Sequence, residues 1–548
     1  MKKWFSRGEH WIWFSSSAVS VSVVLVFGLL GMIAFKGLSH FWAHEVISYE
    51  LKGSNGQVEQ LVGELHDTKI KFVPTAADPQ IKDEIPEYLV KVGNRDVYGI
   101  DFRWINSTNV NESATKLADN VMVIERYEWG NVYGQLDSIR VNGQIVAEGD
   151  QVLPKLAELT DRGGELYDQI HQFEKIEIGG INYQIEDLRL EQKKLEANGE
   201  FNDEARLELE SQRKVLNKQF EALQVDIQKL YQESNGLGQV VLNIAGGKQI
   251  AVQIKQIVRY WQPNNMGAFE KLGFFFGSIG HFLADDPREA NTEGGVFPAI
   301  VGTITMVLLM TVLVTPMGVL AAVYMSEYAK EGPLLRMVRI SINNLAGVPS
   351  IVFGIFGLGF FVYIIGGSID DLFYSYAAPT PVFGTPGLLW ASLTMALLTL
   401  PVVIVSTQEG LSRIPRALRE GGLALGATKF ETIIKIVLPM ATPAIMTGLI
   451  LAIARAAGEV APLMLVGVVK LAPALPIDFN EPFIHLENKF MHLGFHIYDV
   501  GFQSPNVEAS QPLVYATSLL LVAIIVSLNL GAIMIRNRLR ERYKALDN

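Results

Sequence analysis

Residues 420–439 read EGGLALGATKFETIIKIVLP. They lie between two strongly apolar stretches, 388–406 and 441–469. A plain connection between two helices needs only a few residues. Here the chain uses twenty, with glycines, charges and a second short amphipathic segment. The order predicts a helix over 415–425, with Arg416 and Arg419 among small and apolar residues. Gly426 ends it, because glycine adopts the left-handed cap without steric cost. Thr428, followed three residues later by Glu431, is a capping box that starts a second helix. Ile433, Ile434, Ile436 and Val437 give that helix an apolar side, and Leu438 with Pro439 marks its end. A rigid helix–turn–helix of this kind transmits force and suits docking to a separate moving subunit. The plainer expectation is an ordered loop that caps a bundle.

Working outward, apolar runs dominate the chain. It has 548 residues, 49% of them hydrophobic, and a mean hydropathy of +0.23. A helix needs about 20 apolar residues to cross the hydrocarbon. The runs 11–35, 296–325, 345–368, 385–408, 438–454 and 511–535 carry no charge. Six transmembrane helices are expected, the fifth continuing past Arg455 toward Val469. The first follows Lys2, Lys3 and Arg7; it is long for a signal peptide and lacks an obvious cleavage site, so a retained anchor is expected.

Lysine and arginine in short loops set the orientation. Lys2, Lys3 and Arg7 precede the first helix. Lys330, Arg336 and Arg339 separate the second from the third. Arg413, Arg416, Arg419, Lys429 and Lys435 separate the fourth from the fifth, and Arg536, Arg538, Arg540, Arg542 and Lys544 follow the sixth. With six spans all four groups fall on one side. Both termini and the loop at 408–439 are then cytoplasmic, and residues 40–295 are periplasmic. The expected division is 1–39 (N-terminus and first helix), 40–295 (outer domain), 296–535 (a core of five helices) and 536–548 (a basic tail).

Residues 40–295 hold 41 acidic and 26 basic side chains. An acidic surface argues against nucleic acid as a partner. With no cysteine in the chain, this domain must hold together by its core. Alternating or β-branched runs at 58–73, 88–104, 120–127, 138–147, 240–244, 249–254 and 257–261, with turn signals at Val92-Gly93-Asn94-Arg95 and Val141-Asn142-Gly143-Gln144, read as strands. Between them, at about 154–234, lies a charged helical tract. Leu209, Leu216, Leu223 and Leu230 repeat every seven residues, with Phe220 and Ile227 at the offset positions. Ala197, Asn198 and Gly199 break it into two arms. The expectation is an α+β domain carrying an antiparallel coiled-coil hairpin, its second arm about 48 Å long at 1.5 Å per residue. It is either a solvent-exposed spacer or a docking arm.

Enzyme motifs are missing. There is no P-loop, no His-Glu-x-x-His and no Gly-x-Ser-x-Gly. His485, His492 and His496 crowd one outer loop; they read as solvated histidines, with metal ligation the less favoured option. Charge inside the membrane is more telling. Residues 449–459 read LILAIARAAGE. Arg455 and Glu459, four apart, share a helix face and can pair. Charges at that depth pair, or line a polar path. Either they pin the helix packing, or Arg455 offers its planar fork to a passing oxyanion. Pro349 and Pro401 are expected to interrupt other helices and free backbone groups.

At Glu420, Gly426, Ile436, Leu438 and Pro439 the opening stretch resembles the EAA loop of permease subunits of type I ABC importers. Gly421 and Gly422 stand where that loop usually has alanines. In that family the loop inserts a coupling helix into the ATPase subunit. LAGVPSIVFGIFGLGFF (345–361) and IMTGLILAIARAAGEVAPLM (445–464) look like the PstA family of phosphate permeases, in a long form with an extra periplasmic domain. The resemblance spans roughly 296–542. It implies an inner-membrane, non-catalytic subunit of an ATP-driven phosphate importer, surrounded by membrane lipid. The implied partners are a PstC-type permease subunit, a PstB-type ATPase dimer that uses the ATP, and a PstS-type periplasmic binding protein. It implies no cofactor on this chain, and it favours the anion path for Arg455 and Glu459. Other functions consistent with the residues are an importer of another oxyanion, an envelope signalling or scaffold protein, and a secondary transporter. The last is disfavoured because no inverted hydropathy repeat is visible.

Overall fold

A computed structural model describes residues 9–52, 58–74, 82–478 and 483–544. Lys2, Lys3 and Arg7 lie outside them. The chain forms two compact units, Phe41–Gly295 and the remainder.

The second of these units is helical. Among the described residues, six of its helices are long and apolar enough to cross a membrane: Trp11–Ser39, Phe297–Tyr328, Ser350–Phe373, Leu388–Ser412, Lys429–Gly458 and Val507–Leu539. They are called the first to sixth spans. The fourth is the most enclosed, with 67% of its apolar window buried, against 0% for the first. It packs on the second and the fifth, and the fifth on the sixth. Small residues permit this: a Cβ on Gly410 would fall 2.5 Å from Ala444 Cβ, and one on Gly448 2.6 Å from Ser406 Cβ. The Ser406 hydroxyl donates to the Ala444 carbonyl at 2.6 Å. Met306, Met310, Met395, Ala452, Ala456, Val466 and Phe490 meet in the core.

One expectation about a proline and one about length are corrected. Pro401 does not interrupt the fourth span, which runs unbroken from Leu388 to Ser412. Pro349 does mark a boundary: it caps Ser350–Phe356, the start of the third span, and leaves Pro333–Leu345 as a separate amphipathic helix. The fifth helix ends at Gly458 rather than continuing to Val469. The apolar run persists beyond it because Leu463 and Val466, fully buried, plug the bundle core. At the end of the third span the Asp370 carboxylate accepts from three successive amides, Val382, Phe383 and Gly384, at 3.0, 2.8 and 2.7 Å.

Phe41–Gly295 is α+β. β1 (Val46–Lys52), β2 (Val58–Pro74), β3 (Lys82–Lys91), β4 (Phe102–Asn106) and β5 (Lys116–Leu117) make one sheet, ordered β4-β3-β2-β1-β5. β6 (Met122–Arg126), β7 (Val132–Val141), β8 (Gln144–Glu148), β9 (Gln239–Ile244), β10 (Lys248–Gln253) and β11 (Ile257–Trp261) make the other. Its order is β10-β9-β7-β6-β11, and β8 also pairs with β7. The run over 88–104 forms two strands, divided at its turn signal Val92-Gly93-Asn94-Arg95. Gly93 (φ +55°) and Asn94 (φ +51°) turn the chain, and a Cβ on Gly93 would strike the Asn131 carbonyl at 2.4 Å. The buried Asn94 side chain exchanges hydrogen bonds with the Tyr133 backbone at 3.1 Å each way, as a neighbouring strand would.

Between β8 and β9 run α1 (Val152–Gln172), α2 (Gly179–Asn198) and α3 (Asp203–Gly236), with a wide helical turn at Phe173–Ile178 joining the first two. Gly199 (φ +72°) reverses the chain, and the Asn202 side chain caps α3 by accepting from the Ala205 amide at 2.8 Å. Leu209, Leu216 and Ile227 are the buried apolar residues of α3. Arg162 on α1 pairs with Glu233 on α3. Within the unit, Glu125 is buried between Arg259 and Arg288, 2.5 Å from each. Burial alone would raise its carboxyl; the two guanidinium groups reverse this and hold it at about 2.

Candidate coupling loop and substrate path

The loop leaves the fourth span at Ser412 and folds as the helix Arg416–Ala424. Gly426 (φ +87°) closes it. The Gly426 amide donates to the Leu423 carbonyl at 3.0 Å and the Ala427 amide to the Gly422 carbonyl at 3.2 Å, the paired bonds of a Schellman cap. Thr428 then starts the next helix. Its hydroxyl accepts from the Glu431 amide at 3.2 Å, and Glu431 returns a bond from the Thr428 amide at 2.9 Å. This second helix does not end at Leu438 and Pro439. It passes through a wide turn, Ile433–Val437, and becomes the fifth span. The wide turn lies where a proline at 439 would otherwise leave an α-helical carbonyl clashing and unpaired.

Gly422 accounts for one departure from the usual alanines. It is buried, and a Cβ there would lie 3.0 Å from Ile436 Cδ1 and from the Thr432 side chain. The glycine lets the first loop helix settle onto the second. Gly421 faces open space, and nothing in the structure explains it.

Sequence reading missed the anchor. Arg419 Nε and Nη2 donate to Glu327 at the end of the second span, at 3.0 and 2.8 Å. Nη1 and Nη2 also donate to the carbonyls of Ile414 and Leu411 at 2.6 and 2.8 Å. Lys429 Nζ donates to the Glu327 carbonyl and sits 4.7 Å over the Tyr328 ring. Below, Leu411, Ile414, Val437, Ala441 and Ile445 pack with Val319 and Val323 of the second span. The loop is thus fastened to the second, fourth and fifth spans. Its other side is open: Leu425 is 91% exposed and Phe430 64%, with Glu420 exposed beside them. Ile436, Leu438 and Pro439 are half-buried on the anchored side.

Arg455 lies in the last turn of the fifth span. Glu459 is the residue after the helix, in extended conformation, so the pair does not share a helix face as expected. The Arg455 Nε to Glu459 Oε1 distance is 3.8 Å, and both side chains are partly exposed. A loose pair of this kind leaves guanidinium N–H groups available to another oxyanion.

The three loop histidines are not solvated; His485, His492 and His496 are all buried. His485 meets Asp478 at 2.9 Å, and His496 meets Thr517 at 3.4 Å. His492 Nδ1 accepts from the Gly494 amide at 3.0 Å, which puts the ring proton on Nε2. Burial lowers this imidazole to about 4, so it is neutral at physiological pH. No group of three or more metal-ligating side chains occurs among the described residues.

A family model described as the binding-protein-dependent transport system inner membrane component matches residues 314–544. The phosphate transport system permease protein PstA of Mycobacterium leprae (strain TN) is 39% identical over 175 residues, covering 32% of this chain and 52% of that one. PstA of Haemophilus influenzae (strain ATCC 51907 / DSM 11121 / KW20 / Rd) is 32% identical over 209 residues, covering 38% of this chain and 67% of that one. The chain belongs to the PstA-type transport permeases. It spans about half the length of the Mycobacterium leprae relative. An inward-facing structure of the MetNI methionine ABC transporter aligns at 20% identity with a TM-score of 0.32, covering 45% of this chain and 94% of that one. The segment matched by the binding-protein-dependent transport family model contains the loop, Arg455 and Glu459; Phe41–Gly295 lies outside it.

Proposed function

We propose that this chain is a non-catalytic permease subunit of an ATP-driven inorganic phosphate importer. A separate PstB-type ATPase dimer hydrolyses the ATP and receives the loop through Glu420, Gly421, Gly422 and Gly426, with Ile436, Leu438 and Pro439 holding its base. A PstC-type subunit completes the path, and a PstS-type binding protein delivers the anion. Both termini are cytoplasmic, and residues 40–295 are periplasmic, the side assigned by the lysine and arginine distribution.

The observation that carries the reading is the loop itself. It is capped at both internal ends, is anchored to three spans, and presents an exposed apolar face beside an exposed carboxylate. Such an element moves as one body, so a push on its open face reaches the spans. Phosphate comes from the names of the relatives. Arg455 and Glu459 suit it chemically, since a guanidinium recognises an oxyanion by paired hydrogen bonds. The test is uptake of radiolabelled phosphate, with sulfate as the control, into proteoliposomes holding the intact complex, with and without internal ATP. ATP-dependent, phosphate-selective uptake is expected. Sulfate uptake would reassign the substrate, and no uptake by a verified complex would overturn the importer reading.

A further inference from the structure

The helix α4 (Ala268–Ala284) of the Phe41–Gly295 unit has two apolar faces. The inner one is occupied. Phe274 packs on Trp261 with centroids 4.8 Å apart, Phe282 on Phe41 at 5.2 Å and Phe275 on Trp42 at 6.1 Å. Ser278 receives Arg259 Nη1 at 2.8 Å. These contacts fix the roll of the helix. At 3.6 residues per turn, Phe269, Leu272, Gly273, Phe276, Gly280 and Leu283 fall on one opposite stripe. Phe269 is 91% exposed and Phe276 63%, and a Cβ on Gly273 or Gly280 would meet nothing within 4 Å. No charge interrupts the stripe. Glu270 lies off it and caps the helix by accepting from the Gly267 amide at 2.8 Å, and His281 is paired with Asp285 at 3.2 Å.

Chain connectivity says what covers this face. Phe41 and Trp42, which hold the inner side, follow Ser39, the last residue of the first span, by two and three residues. An extended chain covers at most about 3.6 Å per residue, so Trp42 lies within about 11 Å of that span's end. Tryptophan there is typical of the water–lipid boundary. The second span begins at Phe297, shortly after α4 ends at Ala284. The helix itself is 17 residues long, about 26 Å at 1.5 Å per residue, too short to cross the hydrocarbon. We propose that α4 is an interfacial helix whose Phe269–Leu272–Phe276–Leu283 stripe inserts into the headgroup–acyl boundary and seats the Phe41–Gly295 unit on the lipid surface. This follows from the chain's spanning a membrane and holds whatever the transported anion.

The chain has no cysteine, so an introduced cysteine is its single labelling site. Phe269→Cys, Leu272→Cys and Phe276→Cys each carry a nitroxide, with Glu204→Cys on the exposed start of α3 as the water reference. The full chain with its copurified partners is placed in nanodiscs of phosphatidylethanolamine and phosphatidylglycerol. Relaxation by oxygen and by a water-soluble nickel chelate gives depth. The three stripe labels are expected about 5–10 Å below the headgroup level, oxygen-accessible and nickel-protected, while residue 204 is nickel-accessible. Nickel access at the stripe equal to that at 204 would show a wet face and overturn the proposal. Protection from both relaxants would show a protein partner there and overturn it equally. Three sites guard against one substitution failing to fold.

Discussion

Arg419 joins the exposed loop to the second span through a pair that is mostly shielded, with Glu327 only 11% exposed. Hydrogen bonds to charged groups contribute about 1.5–3 kcal/mol each. Partial exposure of the arginine reduces this, and Arg419→Ala is expected to weaken the anchor by about 2 kcal/mol. The complex should assemble, but less phosphate should move per ATP hydrolysed; an unchanged ratio would dismiss the anchor. At the other end of the fifth span, Arg455→Ala is expected to cut phosphate flux at least about tenfold, the loss of one charge-assisted contact. Flux that survives in a normally assembled complex would leave only a structural ion pair. Neither distance could be read from the sequence. Arg419 is visible there only as a positive-inside charge, because its partner lies far upstream and meets it through tertiary packing. The histidines misled for a related reason: a polar residue in a loop reads as wet, yet in this one Phe490, Met491 and Leu493 are buried along with them. Glu125 gives a pH prediction. Its folded carboxyl sits at about 2, below the ordinary value near 4.3. Its contribution is therefore complete above pH ~4.3 and is lost as pH falls toward 2, about 3 kcal/mol in all. Thermal melts across that window should show a falling limb that Glu125→Gln flattens.

Elements were legible where the code is local. The glycine stop and the Thr428–Glu431 cap of the loop rest on residues within one turn of each other. Gly426 is the sharpest case. Its φ of +87° is one that alanine enters at a cost of about 1–2 kcal/mol. Gly426→Ala should therefore fray Arg416–Ala424 and raise amide exchange there, with the fourth span unaffected; equal protection would mean that packing alone holds the helix. Element ends were less legible when two mechanisms give the same pattern. An apolar run looks alike whether lipid or protein covers it, which is why the fifth helix was expected to reach Val469. Proline is similarly ambiguous. Pro349 ends an element, Pro401 sits inside one, and Pro439 is carried by a wide turn upstream.

At the scale of the whole molecule, membrane spans and charged loops were readable because hydropathy is a sum over many residues and tolerates local error. Strand order was not, since it depends on pairings that no short window contains. The insertion of α1–α3 between β8 and β9 makes this plain. Ile139 of β7 pairs with Val240 of β9, and the whole hairpin lies between them in the chain. Loop-closure entropy grows with the logarithm of the loop. A hairpin whose arms meet through near neighbours can form early, and it then brings Gly163 and Leu237 together before the sheet exists. The effective loop shrinks several-fold, saving about 1 kcal/mol at the barrier. Leu216, buried in the hairpin seam, tests this. In single-molecule force measurements on the full chain, Leu216→Asp should slow refolding of Phe41–Gly295 far more than it speeds unfolding. The reverse pattern would place the hairpin late. The long arm would then be a kinetic device as well as a shape: a template, built into the chain, that sets the order in which its own host domain is assembled.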